Sequence, residues 1–290
     1  MRLFRHLMTL GLLGMGALWC ESAEDQPGYR TEHPLQVVDV NHLYMSPSRT
    51  RLGNFTFNDT NATLNTRIGS WSSGEAGIIT GVRNIELGLG HKIHSCDTPY
   101  AVLGAQGVYR GVDRWLWLGN LTFQSDVRHA DFFRWSRYIA SLNGRYSFTE
   151  KTGFYVGFYS EIGMRATIVH PIVGADYTQG NWVYQAIYPI KAGVSYQGLK
   201  SNLISFMIRP FYTGLRVDRG PYKNKSVAVY RGTGAEVRWD WQRTALCDIW
   251  ATIGHTINGE LSVGDKCNHH RHDIHLKQVP YLQLGITIGL

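Results

Sequence analysis

Apolar and polar residues alternate along much of this chain with a period of two. In residues 182–196, Tyr184 and Val194 occupy apolar positions of the alternation and Lys191 occupies a polar one, and residues 227–241 repeat the pattern. Successive side chains of a β-strand point to opposite faces of the sheet. The pattern therefore predicts strands with one apolar face and one small or polar face.

Breaks in the alternation are short and long in turn. The short breaks lie at 72–75, 110–113, 148–152, 197–200 and 242–243. The long breaks lie at 45–59, 90–97, 125–131, 169–180, 215–226 and 258–278. Short periplasmic turns that alternate with longer outside loops are typical of outer-membrane barrels. We predict an all-β fold, a membrane-spanning antiparallel up-and-down β-barrel of about 12 strands. About 10 strands is the alternative, because residues 34–73 alternate poorly and could form a periplasmic arm or an inward-folded plug.

The last eight residues form the most regular segment. Residues 283–290 place polar or small side chains at odd positions and apolar side chains at even positions, up to the final residue. The segment resembles the C-terminal insertion signal of bacterial outer-membrane β-barrel proteins, although that class ends in an aromatic residue and this chain ends in leucine. The resemblance implies insertion by the barrel assembly machinery, and the residues that carry it are Gln283, Gly285, Ile288 and Leu290.

The other end of the chain has the features of an export signal. Arg2 and Arg5 precede an apolar run at 7–19, and small residues follow, which suits cleavage after Ser22. The run is shorter than the roughly 18 apolar residues that a spanning helix needs. The predicted domains are a signal peptide at 1–22, a periplasmic N-terminal segment at 23–34 and a transmembrane barrel at 35–290.

Composition supports a barrel and argues against a nucleic-acid partner. The chain has 16 Tyr and 9 Trp, residues that favour membrane interfaces. Removing 1–22 takes away two arginines and one glutamate, so the net charge falls from +7 to +6, and the basic residues are scattered. We expect one aromatic girdle beside the short turns, with Trp115, Trp117, Tyr146, Phe154, Tyr196, Trp239 and Trp241, and another towards the long loops, with Tyr100, Phe123, Trp182, Tyr184, Tyr212 and Tyr281.

Charged residues on the predicted inner face are nearly balanced in sign, which predicts salt bridges across a narrow interior. The phase of the alternation places Arg137, Arg145, Arg165, Lys191, Arg209, Arg238, Glu86, Glu161, Glu236, Asp240 and Asp248 there. Arg83 and Arg231 break the alternation and are expected at a bulge or near a rim. An open pore and an interior closed by side chains both fit.

Histidines and a cysteine cluster in the last long break. Imidazole and thiolate suit zinc, copper or nickel, so a surface zinc site is one interpretation, and a solvated, pH-sensitive loop is the other. The candidate ligands are Cys267, His269, His270, His272 and His275. Cys96 would lie on the same side of the membrane as Cys267, so a disulfide between them is a further alternative, while Cys247 lies on a predicted strand.

These patterns predict a bacterial outer-membrane protein in contact with outer-membrane lipid, either a narrow porin-like channel or a structural envelope protein. One alternative is metal or partner binding through the loop at 265–275. Another is a lipid hydrolase at the rim, for which His170 with Asp176, and His255, are the candidate residues, although none lies in a recognisable nucleophile motif. We therefore expect no enzyme activity and no cofactor other than a surface zinc.

Overall fold

The computed structural model describes residues 35–50, 53–90, 93–128, 135–163, 166–199, 201–217, 226–244, 247–265 and 272–290. Its strands are β1 Gln36–Thr50, β2 Gly53–Trp71, β3 Gly74–Leu89, β4 Ile93–Tyr109, β5 Trp115–Asp126, β6 Ser136–Ser147, β7 Thr152–Gly163, β8 Ala166–Gln179, β9 Trp182–Tyr188, β10 Lys191–Leu199, β11 Asn202–Val217, β12 Ser226–Thr244, β13 Cys247–Asp265, β14 His272–His275 and β15 Pro280–Gly289. No helix in these ranges is long and apolar enough to cross a membrane.

The strands form one closed antiparallel sheet. Each strand from β1 to β13 pairs with the next along the chain, and β15 pairs with both β13 and β1. β14 pairs with β13 at 260–263, and β15 pairs with β13 at 247–255. The two short strands therefore lie one after the other along β13 and together occupy one position in the wall. The described chain is therefore a closed barrel of 14 strand positions. We call the end where Gln36 meets Leu290 the inner end and the opposite end the outer end.

The predicted class of fold is confirmed, but the strand number was too low because one hairpin was missed. The predicted outside loop at 169–180 is strand β8, and the predicted single strand at 182–196 folds back on itself as β9 and β10. Gly180, with φ of 58°, allows the tight turn between β8 and β9. Pro189 has no backbone N–H for the ladder and lies in the turn between β9 and β10.

Most of the outer surface of the barrel is apolar, as a membrane-facing wall requires. Leu284 on β15, Val82 on β3 and Val173 on β8 are 48%, 62% and 52% exposed. Aromatic pairs mark the inner end, where Trp182 packs on Tyr196 at 4.8 Å between ring centroids. The predicted positions of Trp182 and Tyr184 near the outer end were therefore wrong, because both lie at the start of β9, next to the inner-end turn that follows β8.

Towards the outer end the barrel is flattened. β4 and β11 are not neighbours in the sheet, yet Cα atoms of the two strands approach within 8 Å. Consecutive residues at 213–217 of β11 and 226–230 of β12 are all buried, so neither face of these strand ends contacts lipid or solvent. The outer ends of β11 and β12 thus lie against the opposite wall instead of continuing a round barrel.

Candidate functional site: the barrel interior

The structure places most of the predicted interior charges on the inward face of the barrel. The described ones are Arg137, Arg145, Lys191, Arg209, Arg238, Glu161, Glu236, Asp240 and Asp248. Arg165 lies outside the described residues. Glu86 is the exception, because it lies on the outward face of β3, where Asn58 donates a hydrogen bond to its carboxylate at 2.9 Å.

The phase of β3 was predicted in reverse for a physical reason. Several of its inward residues are apolar, and Ile79, Ile85 and Leu87 are 2%, 0% and 0% exposed. A rule that assigns apolar residues to the lipid-facing side therefore exchanges the inward and outward faces of this strand. Arg83 accordingly does not lie at a rim but points into the interior, where it is 2% exposed.

Arg83 is the centre of a bridge across the barrel. Its guanidinium donates to both carboxylate oxygens of Asp59 on the neighbouring strand, at 2.9 and 2.6 Å. It also donates to the amide oxygen of Gln124 on β5 at 3.1 Å and to the hydroxyl of Thr213 on β11 at 3.4 Å. Because β11 lies across the interior from β3, this bond joins opposite walls.

A second arginine reaches the same threonine. Arg137 on β6 is paired with Glu161 on β7, with Nε and Oε1 2.9 Å apart, and donates to the Thr213 hydroxyl at 3.2 Å. Tyr159 donates to the other oxygen of Glu161 at 2.9 Å. Two arginines from β3 and β6 therefore hold the outer part of β11 inside the barrel.

Further ion pairs fill the interior on both sides of this bridge. Arg145 makes a two-pronged contact with Asp176, with both N–H···O distances 2.7 Å. Arg209 pairs with Glu236 at 2.8 Å, and Tyr281 donates to the same carboxylate at 2.7 Å.

Arg238 of β12 forms another interior pair. It contacts Asp240 at 2.6 Å, and its guanidinium lies 4.2 Å from the centre of the Trp250 ring. Carboxylates therefore neutralise the arginines pairwise, and the lining presents no strong field of one sign.

An apolar layer closes the outer end. Tyr230 of β12 packs against Phe55 and Phe57 of β2, with ring centroids 5.7 and 5.3 Å apart. β12 and β2 are four positions apart in the wall, so this contact also spans the interior. The buried residues of this layer are Leu43, Met45, Phe55, Phe57, Ile85, Leu87, Leu89, Tyr100, Trp135, Phe211, Leu215, Val217, Val227, Ala228, Val229, Tyr230, Leu261, Val263 and Tyr281.

The low exposure of these inward side chains shows that little water enters along the axis. Glu161 is 1% exposed, Asp248 is 2% exposed and Arg137 is 3% exposed. A wide aqueous lumen would leave such side chains accessible. Chemically, the interior is a set of neutralised, hydrogen-bonded ion pairs below an apolar layer, which is a barrier to ions in the described conformation.

The candidate metal site falls mostly outside the described residues. His272 and His275 are described on β14, but Cys267, His269 and His270 are not. Within the described ranges no group of three or more potential ligands comes together. The zinc site therefore stays a prediction, and so does the disulfide between Cys96 and Cys267. Cys247, on β13, is a free thiol.

The structure separates the candidate hydrolase residues. His170 and Asp176 are six residues apart on one strand, which is about 20 Å at a rise of ~3.3 Å per residue, and Asp176 is engaged by Arg145. The His255 ring has a backbone contact, with Nδ1 3.1 Å from the carbonyl oxygen of Thr256. Neither pairing is a catalytic arrangement.

The terminal strand has the predicted phase. Gln283 and Thr287 point inward at 6% and 1% exposure, whereas Leu284 and Leu290 point outward at 48% and 65%. Thr287 donates to Asp39 on β1 at 2.9 Å, across the seam that closes the barrel. The role of this segment in insertion stays a prediction.

The sequence reasoning missed Asp59, Gln124 and Thr213 as parts of the interior site. Asp59 lies in an Asn- and Thr-rich stretch whose alternation was too weak to give a phase. The useful clue was Arg83 itself, since an arginine in an otherwise apolar alternation requires a carboxylate nearby if it is buried.

Neither a protein-family model nor a curated protein sequence matches this chain. Solved structures match its fold. The COG4313 outer membrane channel from Pseudomonas putida F1 has a TM-score of 0.52 at 9% identity, over 91% of this chain and 99% of that one. KdgM porin in complex with disordered oligogalacturonate has a TM-score of 0.41 at 9% identity, over 88% and 99%. NanC porin has a TM-score of 0.41 at 9% identity, over 87% and 100%. The first likeness shows that this chain has the fold of a bacterial outer-membrane β-barrel.

Proposed function

We propose that this protein is a narrow, porin-like channel of the bacterial outer membrane, with an axial path that is closed at the outer end in the described conformation. The observation that carries the proposal is the contrast between the two faces of the wall. Apolar side chains cover most of the outside, and hydrogen-bonded charges line the inside. The shared fold with an outer membrane channel supports the same role.

The closure depends on contacts that can separate without breaking the wall. The ends of β11 and β12 are held across the interior by the two hydrogen bonds to Thr213 and by the packing of Tyr230 on Phe55 and Phe57. Hydrogen bonds to charged groups contribute about 1.5–3 kcal/mol each. Moving these strand ends back towards the wall would open the outer end of the axial path while every ladder between neighbouring strands stays paired.

Planar-bilayer conductance of the purified, refolded chain tests the proposal. We expect rare, small openings from the wild type and frequent openings from Thr213→Val combined with Tyr230→Ala. Thr178→Val is the matched control, because Thr178 is an inward-facing threonine of β8 with 6% exposure that contacts neither arginine. Silence from both the wild type and the loosened variant, with heat-modifiable migration intact, would refute the channel.

A structural role in the envelope is the second candidate. The observation that favours it is the dense pairing of interior charges, which leaves the axis filled. In that case the loosened variant would lose stability and still conduct no current, so the same recordings separate the two functions.

A further inference from the structure

The wall of the barrel is incomplete on one side. β9 pairs with β8 only along 173–179, and β10 pairs with β11 only along 202–208. The outer parts of β8 and β11 therefore have a ladder on one side only, with β7 and β12. The β9–β10 hairpin ends between them at its Pro189–Ile190 turn, and we call the gap above that turn the notch.

Prolines occupy the border of the notch. Pro171 lies two residues before Val173, the outermost residue of β8 that pairs with β9. Pro210 lies two residues after Ile208, the outermost residue of β11 that pairs with β10. Proline cannot donate a backbone hydrogen bond and is confined in sheets to edges and bulges. Together with Pro189 in the turn, these prolines disfavour further pairing of β8 with β9 and of β10 with β11, so the ladder ends here.

The notch opens at the level of the outer part of the membrane. Trp182 belongs to the aromatic pair at the inner end, and Tyr188 is the last residue of β9. Six residues at a rise of ~3.3 Å, tilted by about 40°, climb roughly 15 Å along the barrel axis. The apolar band of an outer-membrane barrel is about 25 Å tall. The last 10 Å or so therefore has no wall between β8 and β11.

A cavity of about 820 Å³ lies at the notch. This side groove is lined on one flank by apolar residues, among them Ile168 and Val169 of β8, Ile190 of the turn and Phe211 of β11. Its size falls in the range of about 300–1,000 Å³ that is typical of small-molecule sites. The deepest part of the groove reaches Arg137, so the groove joins the membrane side of the wall to the interior.

A polar row forms the other flank. Tyr212, Arg231, Glu260 and His275 stand directly opposite one another on β11 to β14, and all four line the side groove. Arg231 is exposed and its guanidinium lies 5.5 Å from the centre of the Tyr212 ring. The guanidinium thus leans towards β11 and the apolar flank, away from Glu260. Among the described residues no carboxylate lies within 4 Å of it.

We propose that the side groove binds a long-chain alkyl carboxylate, with the alkyl chain against Val169, Ile190 and Phe211 and the carboxylate on Arg231. Guanidinium and carboxylate match in charge and geometry. The alkyl chain enters from the lipid through the notch, where the groove is open to the membrane. The carboxylate-binding residue Arg231 is exposed on the outward face of β12, so the proposal does not require the axial path to conduct ions.

Equilibrium binding of radiolabelled laurate to the full chain in nanodiscs of zwitterionic phospholipid tests the site. We expect saturable binding by the wild type and roughly ten- to hundred-fold weaker binding by Arg231→Gln, from the loss of a charge-assisted hydrogen bond. Arg49→Gln, which removes an exposed arginine of β1, three wall positions from β12, should change nothing. Dodecanol, which lacks the charge, should bind the wild type and Arg231→Gln equally.

Ile190→Trp provides an independent check, because a larger side chain in the turn should exclude laurate and dodecanol alike. Heat-modifiable migration verifies that each variant is folded. Equal laurate binding by wild type and Arg231→Gln, or no saturable binding by the wild type, would overturn the proposal. Displacement of laurate by an equimolar amount of phosphatidic acid would also overturn it, because the site would then belong to a membrane phospholipid.

Discussion

Replacing Asp59 by Asn tests whether the interior is dry. The side chains of Asp59 and Arg83 are 9% and 2% exposed, and their closest N–O distance is 2.6 Å. The substitution keeps the size of residue 59 but leaves a buried guanidinium without its bidentate partner. Breaking a buried pair in this way costs about 3–5 kcal/mol. We therefore expect Asp59→Asn to lower the free energy of unfolding by that amount, measured by urea titration of tryptophan fluorescence in lipid vesicles.

A second pair between the same two strands gives the control. Arg67 and Glu75 lie 4.0 Å apart, and their side chains are 28% and 27% exposed. Exposed pairs contribute about 0–1 kcal/mol, so Glu75→Gln should have little effect. The double variant Asp59→Leu with Arg83→Met should recover most of the stability lost in Asp59→Asn, since an apolar replacement leaves no charge unpaired. A loss below about 1 kcal/mol for Asp59→Asn would refute the dry interior and indicate a lumen filled with water.

Other substitutions and treatments test separate parts of the structure. Val82→Arg, at the middle of the outward face of β3, should cost about 2–4 kcal/mol of unfolding free energy, while Ile68→Arg near the inner end should cost about 0–1, both measured by the same urea titration. Equal costs would contradict the membrane depths assigned to Val82 on β3 and Ile68 on β2. Leu290→Asp should reduce the heat-modifiable, folded fraction recovered from cell envelopes, because it puts a charge in the last outward position of the closing strand; unchanged recovery would count against an insertion role for this residue. Replacing His269, His270 and His272 together should abolish zinc binding measured by calorimetry, and a wild type that binds no zinc would remove the predicted metal site.

The terminal strand shows what could be predicted from the sequence. In 280–289 the apolar face has only lipid to contact and the polar face has only the interior, so a period of two gives the correct phase. Trp239 and Arg238 on β12 follow the same rule towards the inner end.

The outer half of the barrel could not be predicted in this way. An apolar side chain is equally stable against lipid or against other apolar side chains inside a dry barrel, and the period of two is the same in both cases. Ile85 and Leu87 are therefore indistinguishable in sequence from lipid-facing residues, and their inward orientation depends on Tyr230 and Leu215, which are more than 100 positions away. Likewise, the strand from 182 to 196 keeps one alternation through the turn at Pro189, so only the tertiary fold reveals the hairpin and the notch above it.

The most direct test of the closed outer end is a nuclear Overhauser contact between the rings of Tyr230 and Phe57, recorded on the protein in lipid nanodiscs. In a round barrel these strands would be four interstrand spacings apart, an arc of about 19 Å, and no contact would be observed. The flattened structure, with ring centroids 5.3 Å apart, predicts a strong cross-peak that is lost in Tyr230→Ala. Absence of the cross-peak in the folded wild type would contradict the inward position of β11 and β12.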